Sequence, residues 1–372
     1  MNKKLLALAV AAALAPAAAM ADSGNVTIYG LMDASYDIVD NGNTATATGI
    51  RTNKISSNNS RIGFKGTEDL GNGLSAVWQL ETTVVNDGGS QGPSAATTLG
   101  SRNTFVGLSS KTAGTLGFGR NDTPYKTSTR AYDYFTDGLA DSRNLMGKGV
   151  GGANTFDQRP TDTVFYVSPD MSGFKAAAAY VAGAETAANS GQQKGDAWSL
   201  SGNYANGPLT AALAYQRNKF GDSGTGTSGT TTLANVGKTE KAWRLGVGYN
   251  FGALDVNAIY EKTSDDLTVA TKTAHKAYAL AAKYKIGSND LKLAYIKAGD
   301  VDGTTSTGAK QWALGVDHNM SKRTKVYAQY VKLSNDTNAA YGLTGANASG
   351  AVAAKGLDAD PSAWSFGMKH SF

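Results

Sequence analysis

Residues 241–252, KAWRLGVGYNFG, alternate with a period of two. On an extended chain Trp243, Leu245, Val247, Tyr249 and Phe251 share one face, and Arg244, Gly246, Gly248 and Asn250 share the other. The alternation predicts a strand with one apolar and one polar side. The same pattern lies on either side along the chain. In residues 276–287, KAYALAAKYKIG, Tyr278, Leu280, Ala282, Tyr284 and Ile286 oppose Lys283 and Lys285. In residues 310–318, KQWALGVDH, Trp312, Leu314 and Val316 oppose Gln311, Ala313, Gly315 and Asp317. LSAVWQLE (74–81), WSLSGNY (198–204), LTAALAY (209–215), LDVNAIYE (254–261) and LKLAYIK (291–297) repeat it.

Alternation alone fits two architectures. A water-soluble sandwich hides its apolar faces between two sheets, whereas a transmembrane barrel turns them to lipid and lines a wet interior with polar groups. The connections separate the two. DLGNGL, KTAGT, SPDMSGF, ANGPL, FGAL, IGSND and NMSKR are tight and rich in turn residues. The segments near 40–60, 86–100, 220–240 and 335–361 are long, polar and rich in Gly, Ser, Thr and Asn. Long and short alternate, about eight of one and seven of the other. About sixteen antiparallel strands follow, with short turns at one end of a transmembrane β-barrel and long loops at the other.

Composition agrees. The 372 residues include 45 Gly, 17 Tyr and only 7 Pro, and charged residues are 17%, below the usual quarter. Mean hydropathy is −0.29 although 41% of residues are hydrophobic, as suits a sheet greasy on one face only. The first residues, MNKKLLALAVAAALAPAAAMA, join a basic head, a short apolar run and a small-x-small site, which predicts a signal peptide over 1–21 and one barrel domain over 22–372. The apolar run is about half the length of a membrane-spanning helix. There is no Cys, so thiol chemistry and zinc–cysteine sites are excluded, and stability must come from something other than disulfides. A closed sheet, in which every strand has two neighbours, supplies it. The formal charge of +5 falls to +3 once Lys3 and Lys4 are set aside, too weak a balance to point to nucleic acid.

The chain ends AWSFGMKHSF (363–372). Trp364, Phe366, Met368 and Phe372 share one side, broken only by His370. This predicts a closing strand with Trp364, Phe366 and Met368 toward lipid and Phe372 in an interfacial aromatic girdle.

NVTIYGLMDASYD (25–37), SRIGFKGTEDLGNGLSAVWQLE (60–81), RNTFVGLSSKTAGTLGFGRND (102–122), FYVSPDMSGFKAAAAY (165–180) and the terminal Phe372 resemble the trimeric general porins of Gram-negative bacteria, above all the beta-proteobacterial type. The resemblance spans essentially all of 22–372. It implies a sixteen-stranded barrel in the outer membrane, three copies per assembly, and passive diffusion of ions and small hydrophilic solutes. It implies surroundings of outer-membrane lipid and lipopolysaccharide, and insertion by the outer-membrane barrel assembly machinery through the C-terminal strand. It implies no cofactor, no metal and no catalysis. It further implies that the third long loop, about 122–161, folds into the barrel and narrows it. This is the longest connection in the chain, and its Tyr and Phe content argues for an ordered loop.

In the family, basic residues on the wall face acidic residues on that loop. Arg61 in SRIGFKG fits the first wall position. Strand parity agrees, since Ile62 and Phe64 face out and Arg61 and Lys65 face in. Arg120 in FGRND fits the second, although it shares parity with Leu116 and Phe118, so the strand must bend at Gly117 or Gly119. Arg159 in DQRPTD is the third. Asp137 and Asp141 in TDGLADS fit the acidic positions on the loop. Some relatives carry Lys just after the first YG, where this chain has Leu31. Wall cations outnumber the two acids, which leans toward a weak anion preference.

Other motifs carry less. GKGVGG (147–152) matches G-x-G-x-x-G but has neither the strand before it nor the helix after it that a dinucleotide site needs. His275, His318 and His370 lie far apart, with no triad or metal spacing. Asp300, Asp302, Asp358 and Asp360 read as solvated loop carboxylates rather than a cation site. The alternatives to a diffusion pore are a substrate-specific channel and, further off, a barrel enzyme or a surface adhesin.

Overall fold

A computed structural model describes residues 25–86, 99–183, 195–221, 235–267, 272–345 and 350–372. The signal peptide expected over 1–21 lies outside the described residues. The extended segments run β1 (Val26–Asp40), β2 (Arg51–Ser57), β3 (Arg61–Gly71), β4 (Leu74–Thr83), β5 (Thr104–Ser110) and β6 (Gly114–Arg120). After a long loop come β7 (Thr163–Val167), β8 (Phe174–Val181), β9 (Asp196–Asn206), β10 (Leu209–Lys219), β11 (Thr239–Asn250) and β12 (Leu254–Asp265). The last are β13 (Lys276–Ile286), β14 (Asn289–Ala298), β15 (Ala309–Asn319), β16 (Thr324–Asn335) and β17 (Ser362–Ser371).

All are antiparallel to their neighbours in one sheet, which closes where β1 pairs with β17 in the register Leu31↔Ser371 to Asp40↔Ser362. On its other side β1 pairs with both β2 and β3. Those two are halves of one barrel strand interrupted at residues 58–60, where Asn59 turns into the left-handed region (φ 56°). The seventeen segments are therefore sixteen barrel strands. The interruption is held by polar groups. Asn58 Nδ2 donates to Ser35 Oγ and Tyr327 OH, both at 2.9 Å, and Asp33 N donates to Ser60 Oγ at 2.8 Å.

Connections at one rim are short. Asn72 (φ 52°) and Gly73 (φ 75°) alone join β3 to β4, the double positive φ of a type I′ hairpin, which Asn-Gly adopts with least strain. The chain end lies at this rim too. Gly30 N donates to Phe372 O at 3.0 Å and Phe372 N to Gly30 O at 3.1 Å, so the last residue completes the ladder. The Phe372 ring lies over Gly30, leaving no room there for a Cβ.

Trp364, Phe366 and Met368 are each about half exposed on the outer wall, as the parity of the closing strand predicts. His370 shares that side and its ring nitrogen lies 2.8 Å from Thr324 Oγ1. Toward the long-loop rim, directly opposed Tyr–Trp pairs pack across strands with tilted rings: Tyr180–Trp198, Tyr215–Trp243, Tyr295–Trp312 and Tyr330–Trp364, with centroids 4.4–4.8 Å apart. Tyr204, Tyr249, Phe251, Tyr284 and Phe372 mark the short-turn rim. Two aromatic belts bounding an apolar band are the outer surface of a lipid-embedded barrel.

The inner wall is divided. On β10–β15 small residues, among them Ala212, Ala277, Ala279, Ala281, Ala294 and Ala313, alternate with buried polar ones such as Gln216, Arg244, Glu261 and Gln311. Tyr132, Phe135, Leu139, Leu145 and Met146 of the loop after β6 pack on these, together with Leu343 and Val352 from the loop after β16. An ordinary apolar core thus fills one side of the lumen. The other side, on β1–β6 and β16–β17, carries Asp33, Arg61, Lys65, Glu81, Lys325 and Lys369.

Candidate functional site

The loop after β6 (residues 121–162) starts with a single helical turn, α1 (Pro124–Ser128). Pro124 suits its first turn, and Thr123 caps it by accepting from Lys126 N at 3.3 Å. Three 3₁₀ turns follow, at Arg130–Tyr132, Ser142–Asn144 and Val150–Gly152. The loop is moored to inward-facing wall side chains. Near its start, Tyr125 OH donates to Glu261 Oε2 (2.8 Å) and Tyr125 N to Ser199 Oγ (2.9 Å). In the middle, Asn144 Nδ2 donates to Gln311 Oε1 (2.7 Å), and Gln311 Nε2 returns a bond to Ala140 O (2.9 Å). Near its end, Arg244 grips Asp157 with two parallel bonds of 2.9 and 3.0 Å and donates from Nε to Glu261 at 2.9 Å. The same guanidinium stacks on the Tyr125 ring, 4.4 Å from its centroid.

The two loop acids sit at the tip between these moorings. Asp141 is fully buried and takes a fork from Arg143, 2.9 and 2.7 Å, and a bond from Arg130 at 3.2 Å. Asp137, in the left-handed region at φ 69°, accepts from Arg130 at 2.7 Å. Burial would raise both carboxyls, but Arg143 and Arg130 overcome it and hold both below the ordinary carboxylate range. Arg61 reaches across from β3 to within 3.7 Å of Asp137, and Asn59 in the strand interruption donates to the same side chain at 3.4 Å. Arg61, Asp137 and Asp141 therefore form one cluster, joined by Arg130 and Arg143 from the loop itself.

Arg159 lies in a second cluster at the root of the loop. Its Nε donates to Asn103 Oδ1 (2.6 Å) and sits 3.1 Å from Asp122, which also takes Lys126 at 2.7 Å. Burial opposes ionisation of Asp122, but Lys126 and Arg159 together hold it well below the usual range. Arg120 ends β6 opposite Thr104, beyond Gly119, whose φ of 140° marks the bend. Among the described residues it makes no hydrogen bond or ion pair to Asp137 or Asp141, and its Nε is enclosed without a partner. Lys65 faces inward as parity predicts, opposite Thr27, with its ammonium 5.3 Å from the Tyr29 ring centroid. Four residues of strand, about 13 Å, place it below Arg61 toward the short-turn rim. Leu31 lies inward beside Arg61, at the position where a Lys would add charge.

Two sets of cations were not singled out from the sequence. Arg102 is buried on the wall, pairs with Glu81 at 2.5 Å, and Glu81 in turn accepts from Tyr29 OH at 3.0 Å. Arg102 precedes a strand whose inward Phe105 and outward Val106 are legible, so parity offered no reason to select it. Lys292, Lys325 and Lys369 line the inner wall beside Tyr134 and Phe135, with Asp317 between the first two at 2.6 and 2.5 Å and Asp33 at 3.8 Å from the third. Lys292 and Lys369 stand at inward parity positions of strands legible from their alternation, in LKLAYIK and AWSFGMKHSF. Tyr125, Tyr132 and Phe135 are buried packing residues. Asp300 accepts from Thr307 N in its own loop, and Asp360 from Asn335 N at the end of β16. Among the described residues no three His, Cys, Asp or Glu gather as a metal site.

The family model for Gram-negative porins matches residues 7–338. Outer membrane porin protein 32 of Delftia acidovorans is 30% identical over 351 residues, 92% of each chain. An anion-selective porin from Comamonas acidovorans superposes with a TM-score of 0.75 at 26% identity, over 93% of this chain and 99% of that one. The trimer form of OmpT from Vibrio cholerae shares the fold, with a TM-score of 0.64 at 19% identity over 94% of this chain and 100% of its own. A closed sixteen-stranded wall with two aromatic belts, a moored inner loop and these likenesses converge on one conclusion: the chain belongs to the Gram-negative porin family and is an outer-membrane diffusion channel, not an enzyme.

Proposed function

We propose that the aperture of this porin lies between the tip of the inner loop and the wall, with Arg61, Arg102, Arg120 and Arg159 on one side, Asp137 and Asp141 on the other, and Lys65 guarding the lower approach. We further propose that it passes small hydrophilic solutes and ions with a weak preference for anions. One observation carries the preference: the loop acids are already matched by the loop's own arginines. At the tip, Arg61, Arg130 and Arg143 stand against Asp133, Asp137 and Asp141, so the loop's acids are matched there. Along the facing wall, Lys292, Lys325 and Lys369 face only Asp317 and Asp33. The lysine group keeps a surplus positive charge, and an aperture with low-dielectric walls focuses that surplus onto passing ions. The Comamonas porin described as anion-selective supports the same direction.

The trimeric OmpT supports a homotrimer for this chain as well. Its setting is outer-membrane lipid and lipopolysaccharide. The exposed face of β17, ending at Phe372, is the segment the barrel assembly machinery reads. The test is single-channel conductance in a planar bilayer, with the reversal potential under a salt gradient. Steps in groups of three and an anion-biased potential are expected. A cation-biased potential overturns the preference, and saturable flux of one solute overturns general diffusion.

A further inference from the structure

The outer wall carries a repeat that the aperture does not use. Each of β11–β16 places one lysine two residues from an outward aromatic, always on the side of the long-loop rim. The pairs are Trp243 with Lys241, Tyr260 with Lys262, Tyr278 with Lys276, Tyr295 with Lys297, Trp312 with Lys310, and Tyr330 with Lys332. The lysine precedes its aromatic on β11, β13 and β15 and follows it on β12, β14 and β16, so the order is kept in space although the strands alternate in direction. Residues two apart share a face, and all six lysines are exposed. Two residues of strand, about 7 Å, set them just beyond the aromatic belt, at the level of lipid headgroups.

These lysines have no acids beside them. Among the described residues Asp196 is the one carboxylate at an outward strand position on β9–β16, and it pairs with Arg217 at 3.1 Å. None of the six lysines forms a hydrogen bond or ion pair among the described residues. Lys262 lies directly opposite Lys276, and Lys297 directly opposite Lys310. Such partners hold their Cβ atoms about 5 Å apart, and like charges so placed destabilise a sheet. By contrast, outward Arg51 near the same rim stands 3.7 Å from Asp40. The repeat stops at β17, where Ser362 takes the place two residues beyond Trp364, directly opposite Lys332.

We propose that this arc of lysines binds the lipid A phosphates of lipopolysaccharide, one phosphate bridging each opposed lysine pair. The apolar band directly below the arc takes acyl chains, so the occupant is an amphiphile with an anionic head rather than a dissolved anion. Long loops mark the external rim of such barrels, which places the arc in the outer leaflet. The inference rests on the lipopolysaccharide setting proposed above and assigns it to one sector of the wall, β11–β16. It does not involve the aperture.

The test is native mass spectrometry of the delipidated porin in detergent with added bis-phosphorylated lipid A and, separately, with dephosphorylated lipid A. The unaltered porin should hold the phosphorylated form about 10-fold more tightly or better. Lys262→Gln, Lys276→Gln, Lys297→Gln and Lys310→Gln combined should remove that preference. Lys322→Gln with Arg323→Gln, which takes exposed cations from the short-turn rim, should keep it. Equal affinity of the unaltered porin for the two lipids overturns the assignment without reference to any variant. A preference that survives the fourfold change also overturns it, yet leaves lipopolysaccharide as the surrounding lipid. Failure to hold either form of lipid A removes that setting as well. Tighter binding of phosphatidylglycerol than of phosphorylated lipid A overturns the choice of glycolipid.

Discussion

Replacing Arg244 by Met should loosen the inner loop without unfolding the barrel. The side chain is almost fully buried and its partners Asp157 and Glu261 are equally so. Met fills much the same volume but leaves two buried carboxylates without their cation. Breaking a buried pair this way costs about 3–5 kcal/mol. The sheet ladder does not pass through this side chain, so the cost falls on the seating of the loop against β9–β12. At about 1.4 kcal/mol per tenfold, the ratio of seated to unseated loop drops by roughly a thousandfold. Single-channel recording should then show a noisier open state of larger mean conductance. Hydrogen exchange should speed up over residues 123–157 while the strands stay protected. Adding Asp157→Asn and Glu261→Gln removes the stranded charges and should restore part of the quiet state. A current from Arg244→Met as quiet and of the same size as the unaltered channel's would refute the reasoning.

Arg61→Ala, Arg102→Ala and Arg159→Ala should each move the reversal potential toward cations. Lys65→Ala should move it less, because about 13 Å of strand, more than a Debye length at moderate salt, separates it from the tip. Asp137 and Asp141 are held below their ordinary range, so their ion pairs contribute stability above the unfolded carboxylate pKa and lose it only as pH falls through the lower folded values. Asp137 and Asp141 should therefore still be ionised at about pH 4, and a direct titration, by carboxylate infrared bands in Asp→Asn difference spectra, that found either protonated at that pH would contradict the pairing. Deleting Phe372 removes both backbone bonds to Gly30 and the ring above it. The yield of heat-resistant folded barrel should drop sharply, whereas Phe372→Tyr, which keeps ring and backbone, should not lower it.

The barrel was legible because lipid enforces the alternation. An outward position on β11 or β13 tolerates little but apolar side chains, so parity can be read residue by residue and the turns fall between. Sixteen strands and the closing role of 363–372 followed from that. The interruption at residues 58–60 was not legible, since Asn58 and Ser60 reveal their purpose only against Asp33, Ser35 and Tyr327, which are remote in sequence. The loop was legible as a loop, and the resemblance set Arg61 against Asp137, but the loop's own arginines were not singled out as partners of its acids. Asp141 turns to Arg143, two residues on, rather than to the wall, and no periodicity governs an irregular segment. Arg120 and Arg102 show the same limit from both sides. Arg102 lies two residues before β5 and Arg120 ends β6, where parity lapses, and only Glu81, which pairs with Arg102, separates their roles.

The alanine-lined half of the inner wall has a consequence for how the calibre of this channel can drift. Ala277, Ala279, Ala281, Ala294 and Ala313 are buried beneath the loop and are not exposed to a passing solute. Enlarging any of them by a methylene or two would press the packed loop toward Arg61, because a dense core transmits volume rather than absorbing it. The bore can thus be adjusted in small steps from behind, at sites that leave every lumen charge in place, while replacements among the arginines alter selectivity at nearly constant width. Calibre and charge are separately heritable traits of one lumen.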